Sequence, residues 1–192
     1  MTKVLSAQRW LEVFQERLER REKTDGVLSA VMAHKNGFEN WLKFEMAAVV
    51  QQPPWGYLPW INRERGDVGL EYRADRRKGP KKLVDLWASP HKGAKSWHFA
   101  ELKVAFNNTN AIKQFLSWRR DFEALRELDG RKTTQRVASL MSVMFAVGFT
   151  EDEVDVRVKK ATGQLVGGNP RVWQGSIETR HATLHLVALL DE

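Results

Sequence analysis

Two apolar stretches in the middle of the chain carry charge where charge is costly. Residues 83–89 read LVDLWAS and residues 97–106 read WHFAELKVAF, joined by the basic loop PHKGAK. Both have the composition of buried strands, yet they contain Asp85, Glu101 and Lys103. Such groups must be paired, solvated in a cleft or bound to a metal. Side chains alternate along a strand, so Glu101 and Lys103 share a face with Trp97, Phe99 and Ala105. Asp85 shares its face with Leu83 and Trp87. If the two strands pair, Asp85 approaches Glu101 and Lys103 stands one step further on. Two carboxylates brought together repel, and a hard divalent cation such as Mg²⁺ or Mn²⁺ relieves the repulsion. Without metal, Asp85→Asn is then expected to leave stability equal or higher. The competing expectation is a solvated Glu101–Lys103 ion pair on an exposed strand.

The flanking sequence supplies the elements to hold these residues. Trp10, Leu11, Phe14 and Leu18 form one helical stripe, with Ser6 as a candidate N-cap and Gly26 past the end. VLSAVMAH reads as a short second helix. GFENWLKFEMAAVVQQ is a third, with Phe38, Trp41, Glu45, Ala48 and Val49 at helical spacing. PPWGYLPWINRERG is a loop broken by Pro and Gly. Strand candidates VGLEYRAD, KKLVDLWAS and WHFAELKVAF follow, the first two joined by RRKGP. AIKQFLSWRRDFEALREL is amphipathic at helical period. VASLMSVMFAVGF is almost wholly apolar, as expected of a strand buried on both faces. TEDEVDVRVKK opens with a candidate capping box from Thr150 to Glu153, which favours a helix, although Val154, Val156 and Val158 also alternate as in a strand. GGNPRVWQGS is read as a loop or short hairpin, and ATLHLVALL as a last strand. The fold class is therefore α/β, with a central mixed sheet flanked by helices and a parallel crossover late in the chain.

An Asp on one strand followed by Glu-x-Lys on the next resembles the PD-(D/E)XK nuclease superfamily. The order of one helix, three strands, a helix and a further strand over residues 37–149 resembles that family's restriction-endonuclease-like core. Residues 1–36 then form an N-terminal helical extension and 150–192 a C-terminal elaboration of a single domain. The resemblance implies a Mg²⁺-dependent nuclease, with Mn²⁺ able to substitute. Asp85, Glu101 and the Leu102 backbone carbonyl would bind the metal, and Lys103 would position or activate water. Many members add a carboxylate from the first core helix, and Glu45 matches by its apolar face, ahead of Glu39 and Glu71. Val84 stands where the family often has proline. Gln114 followed by Trp118 resembles a Gln-aromatic pair of one branch, and Gln114 alone is carried over.

The 192 residues hold 31 Lys and Arg against 24 Asp and Glu, a net charge of +7, and the pI is about 9.8. That balance favours an anionic partner, nucleic acid before a membrane surface, and the resemblance to the nuclease family implies DNA before RNA. Arg76, Arg77, Lys78, Lys81, Lys92 and Lys95 in the turns, with Arg119 and Arg120 on the following helix, are candidate phosphate contacts. Trp55, Tyr57 and Trp60 would either stack on bases or pack as a lid over the core. The absence of cysteine excludes disulfides and thiolate zinc sites. With neither a signal peptide nor a membrane span evident, a cytoplasmic location is expected. No trusted metal spacing joins His34, His91, His98, His181 and His185, and His98 is expected in the core. A homodimer is compatible with the sequence. The main rival to the nuclease is a nuclease-fold module that binds nucleic acid or a protein without catalysis, and a second is a basic adaptor of another fold.

Overall fold

The computed structural model describes residues 5–35, 37–59, 67–73, 83–89, 96–130, 136–165 and 170–191. The chain opens with α1 (Ala7–Asp25), α2 (Val27–Ala33) and α3 (Phe38–Gln51). Ser6 caps α1 by accepting the Arg9 N–H, and Gly26, at φ 64°, both ends α1 and begins α2. After α3 come β1 (Leu58–Pro59), β2 (Asp67–Arg73), β3 (Leu83–Ser89) and β4 (Ser96–Phe106). The helix α4 (Ala111–Gly130) leads to β5 (Arg136–Val147), and α5 (Glu151–Thr162) leads to β6 (Arg171–Glu178) and β7 (Thr183–Asp191). The expected capping box at Thr150 and Glu153 is formed at the start of α5.

The strands make one mixed sheet in the order β1-β2-β3-β4-β5-β7-β6. β2, β3 and β4 form an antiparallel meander, and β5 lies parallel to β4 with α4 as the crossover. One face is covered by α1, α2 and α3, whose Trp10, Phe14, Phe38 and Leu42 meet Leu86, Ala100, Leu102 and Phe145. The other is covered by α4 and α5, with Phe115, Trp118, Phe122 and Val158 against Phe99, Met144 and Leu189. Central β5 is thus buried on both sides, which accounts for its continuous apolar run. Its two serines are satisfied: Ser139 Oγ lies 2.7 Å from His98 Nδ1, and the Ser142 hydroxyl donates to the Trp118 carbonyl at 3.3 Å while the Trp118 indole N–H donates to the Ser142 carbonyl at 2.8 Å.

Two expectations need correction. The loop after α3 contributes the short β1, parallel to β2. The segment read as a loop or short hairpin near residue 171 is mostly the edge strand β6, paired antiparallel along β7. Only Ile177 of β6 is buried, so the strand lacks the apolar alternation that would have marked it. The helix α1 is part of the main core, its Trp10 N–H donating to the Met46 carbonyl of α3 at 2.9 Å.

Candidate active site

The β3–β4 ladder runs from Ala88↔His98 through Trp87↔Phe99 to Leu86↔Ala100, and no further pair follows. Trp87 and Trp97 stack across it with centroids 4.8 Å apart, which pins the strands just before they separate. Asp85 and Glu101 are the first residues beyond the last pair, so both stand at the mouth of a fork. There the Leu102 N–H donates to Asp85 Oδ2 at 2.8 Å. A side-chain carboxylate has replaced the ladder acceptor that a continuing β3 backbone would have offered. In an antiparallel ladder one residue's N–H and C=O face the same neighbour, so the Leu102 carbonyl also faces the fork.

The second Asp85 oxygen, Oδ1, is 2.8 Å from Lys43 Nζ on α3. Lys43 is in turn 3.4 Å from Glu39, one helical turn back. Burial works to lower the Lys43 pKa, but the hydrogen bond and charge of Asp85, with Glu39, outweigh it and hold the ammonium above its ordinary value. Sequence reasoning missed Lys43. The only signal for it was its place four residues after Glu39 on a helix otherwise apolar toward the sheet.

Glu101 is 7% exposed and, by strand parity, lies on the α4 face. Lys103 shares that face, and its Nζ is 3.4 Å from Asp121 Oδ2 of α4. Asp121 was also missed, although it falls seven residues after Gln114 and therefore on the same flank of α4. Asp85 thus meets the Leu102 backbone at the fork, while Glu101 and Lys103 stand beside it on β4 with their side chains on the α4 face, where Gln114 and Asp121 share a helix flank.

The other expected residues are placed differently. Glu45 is two residues past Lys43, about 200° around α3. It is turned to α1, where Arg17 Nε lies 2.5 Å and Arg21 3.7 Å from its carboxylate. The apolar face that singled out Glu45 packs against α1 as well as the sheet, so burial did not distinguish the two. Glu39 is the α3 acid linked to Asp85, through Lys43. Glu71 lies in β2. Arg119 is engaged by Glu123 at 3.7 Å and by Gln164, next to α5, while Arg120 is exposed. Arg76, Arg77, Lys78, Lys81, Lys92, Lys95, Trp60 and His91 lie outside the described residues. Trp55 and Tyr57 are 5% and 2% exposed, so they pack as a lid rather than offering faces to bases. Burial pushes the Tyr57 hydroxyl up to about 12. Trp118 is wholly buried and serves the core. His98 is 4% exposed, as expected, and burial pushes it down to about 4.

Among the described residues, no group of three or more His, Cys, Asp or Glu side chains is placed to hold a metal ion. The oxygen donors that the fork brings together are the Asp85 carboxylate and the Leu102 carbonyl, with Glu101 next in sequence on the α4 face. Mg²⁺ commonly takes one or two protein carboxylates and completes its shell with water and phosphate, and Asp85 with the Leu102 carbonyl are hard oxygen donors of that class. No helix among the described residues is long and apolar enough to cross a membrane. The architecture defines an α/β protein with a mixed sheet enclosed by helices. Comparison of the chain with protein-family models, with curated proteins and with solved structures gives no match.

Proposed function

We propose that the chain is a metal-dependent nuclease of the PD-(D/E)XK type that hydrolyses phosphodiester bonds, in DNA before RNA. The observation that carries this is the fork: Asp85 and Glu101 occupy the first positions past the last β3–β4 pair, with Lys103 two residues further along. The meander β2-β3-β4, the crossover α4 and the parallel β5 support it, because they follow the restriction-endonuclease-like order. The net charge of +7 suits a polyanionic substrate.

Asp85, Glu101 and the Leu102 carbonyl would hold Mg²⁺ or Mn²⁺. Bound there, the ion supplies charge neutralisation for the scissile phosphate and an acidified water. The remaining work falls to the chain. Lys43 and the Leu102 N–H fix the Asp85 carboxylate from two directions, which preorganises a ligand. Lys103, steadied by Asp121, orients the attacking water toward phosphorus. Gln114, on the bordering flank of α4, is placed to hold the substrate backbone.

A second reading is a nuclease-fold module that binds nucleic acid without cutting it. The close Lys43–Asp85 pair favours it, since that pair satisfies Asp85 without any metal. One experiment separates them. Plasmid, linear and single-stranded DNA and RNA are incubated with Mg²⁺ and with EDTA, using the parent, Asp85→Ala, Glu101→Ala and Lys103→Ala. Cleavage by the parent only with Mg²⁺, lost by about a hundredfold or more in each folded variant, is expected. Cleavage by Lys103→Ala at the parent rate overturns the assignment. Binding of DNA without cleavage under any metal supports the module instead.

A further inference from the structure

We propose that the groove between α4 and α5 is a docking surface for an acidic amphipathic helix of a partner protein. The proposal is independent of the fork and of the nuclease reading. α4 and α5 pack side by side on one face of the sheet and leave between them a groove of about 240 Å³. Phe115 and Ala161 form its buried floor, and Ile112, Leu116 and Val156 stand along its walls. Ile112 is 54% and Val156 65% exposed. Among the described residues, the other large apolar side chains this exposed are Phe44 and Val172, so two of the four meet here. A single exposed apolar residue needs no explanation, but two converging over an apolar floor mark a contact surface.

Charge selects the occupant. Arg157 lines the α5 wall, held there by donating to the Glu153 carbonyl at 2.9 Å and by lying over the Phe149 ring at 4.9 Å. Lys160 also lines the groove, one helical turn beyond Val156. On α4, Lys113 and Arg120 lie three residues before and four after Leu116, so both border it. Lys113, Arg120 and Lys160 are exposed, and none makes an ion pair with another described residue. Glu151 and Asp155 do not neutralise them, because they line a separate pocket against β6 and β7. A second copy of the chain placed two-fold on this face would set the cations against themselves. A phosphate backbone would meet the cations but leave the apolar walls without a partner. An acyl chain on so open a surface would stay largely in water. A helix with apolar residues at i, i+4 and i+7 and Asp or Glu on its flanks satisfies walls and cations together. From Ile112 to Arg120 the α4 wall is about 12 Å long, enough for about two turns of such a helix.

The test titrates the full chain against fluorescein-labelled helical peptides of about 14 residues, each with one Leu stripe flanked by Glu, Gln or Lys, and reads anisotropy. The Glu peptide should bind best and the Lys peptide worst, with the difference shrinking as salt rises. Ile112→Glu and Val156→Glu, both at exposed positions, should each weaken the Glu peptide at least about tenfold while the urea midpoint is unchanged. Lys113→Glu combined with Lys160→Glu should reverse the ranking, so that the Lys peptide binds best. No binding of the Glu peptide, equal affinity for all three flanks, or parent affinity in Val156→Glu overturns the proposal. Short duplex DNA or decanoate that binds the parent, loses affinity in Val156→Glu and has no peptide counterpart also overturns it. Self-association of the parent that Val156→Glu abolishes overturns it in favour of a homodimer face.

Discussion

Asp85→Asn in the metal-free chain should destabilise the fold, the reverse of what two adjacent carboxylates alone would predict. The substitution keeps the shape of the side chain and removes its charge. Repulsion from Glu101 is relieved, but two short contacts are weakened: Leu102 N–H to Oδ2 and Lys43 Nζ to Oδ1, both at 2.8 Å. The asparagine carbonyl can accept one of these donors. Its NH₂ must then face the other, leaving the Lys43 ammonium with Glu39 at 3.4 Å as its remaining partner. A net charge-assisted hydrogen bond contributes about 1.5–3 kcal/mol. Removing one partner of a fully buried ion pair costs about 3–5 kcal/mol. The Lys43–Asp85 pair retains some solvent, so a loss of about 2 kcal/mol is expected. For a chain of this size that lowers Tm by about 4–8 °C. The measurement is thermal and urea unfolding in EDTA, with Lys43→Met and the double variant completing a thermodynamic cycle. The Lys43–Asp85 coupling should be favourable by about 1–2 kcal/mol. A Tm equal to or above the parent's, with an unchanged urea m-value, would refute the view that the fork carboxylate is held by these two donors.

Acid should weaken the fold in a window set by His98. Its folded pKa is pushed down by burial to about 4, so the unfolded chain binds the proton first. Stability is complete above the unfolded value near 6.5 and declines as pH falls toward 4, by at most about 3 kcal/mol. A folded His98→Asn variant should show a flatter urea midpoint between pH 7.5 and 4.5; an equally steep profile would exclude His98 as the source. Glu22, whose burial is outweighed by hydrogen bonds from Ser29 and the Arg180 N–H so that it stays below its usual range, adds to the loss at the acid end of that window, from about pH 4.5 downward. Trp118→Phe should cost about 1–3 kcal/mol in chemical unfolding, because the Ser142 carbonyl loses its indole donor. It should leave DNA cleavage unaltered, and a selective loss of cleavage in the folded variant would place Trp118 in the site.

The elements whose burial is one-sided or complete were legible in the sequence, and those at the margins were not. α1 and α4 announce themselves because their apolar residues repeat at the helical period and meet one core, and β5 because a run buried on both faces is apolar throughout. β6 did not, because an edge strand with one buried side chain has no pattern to read. β1 is two residues long and exists only through its pairing with β2. At the site, the pattern Asp, then Glu-x-Lys, located the strands and their charged positions. It could not reveal that β3 and β4 part between Leu86 and Asp85, since a ladder's end is a matter of which backbone groups find partners. Nor could it rank Glu39 against Glu45, because α3 buries one flank on α1 and another on the sheet.

The same separation explains how strands this apolar tolerate charge at all. Were the β3–β4 ladder to continue, Asp85 and Glu101 would be cross-strand neighbours with no donor between them, and the repulsion would be borne by the sheet. By parting one residue earlier, β3 leaves the Leu102 N–H without its ladder acceptor and swings a carboxylate into that role. The backbone donor and the acid thus satisfy each other, while Lys43 balances the charge from α3. Lys103 is balanced separately by Asp121 of α4, on the opposite face of the sheet. Asp85 and Lys103 therefore each have a counter-charge from a helix, and the Leu102 N–H that the parted ladder releases is spent on Asp85.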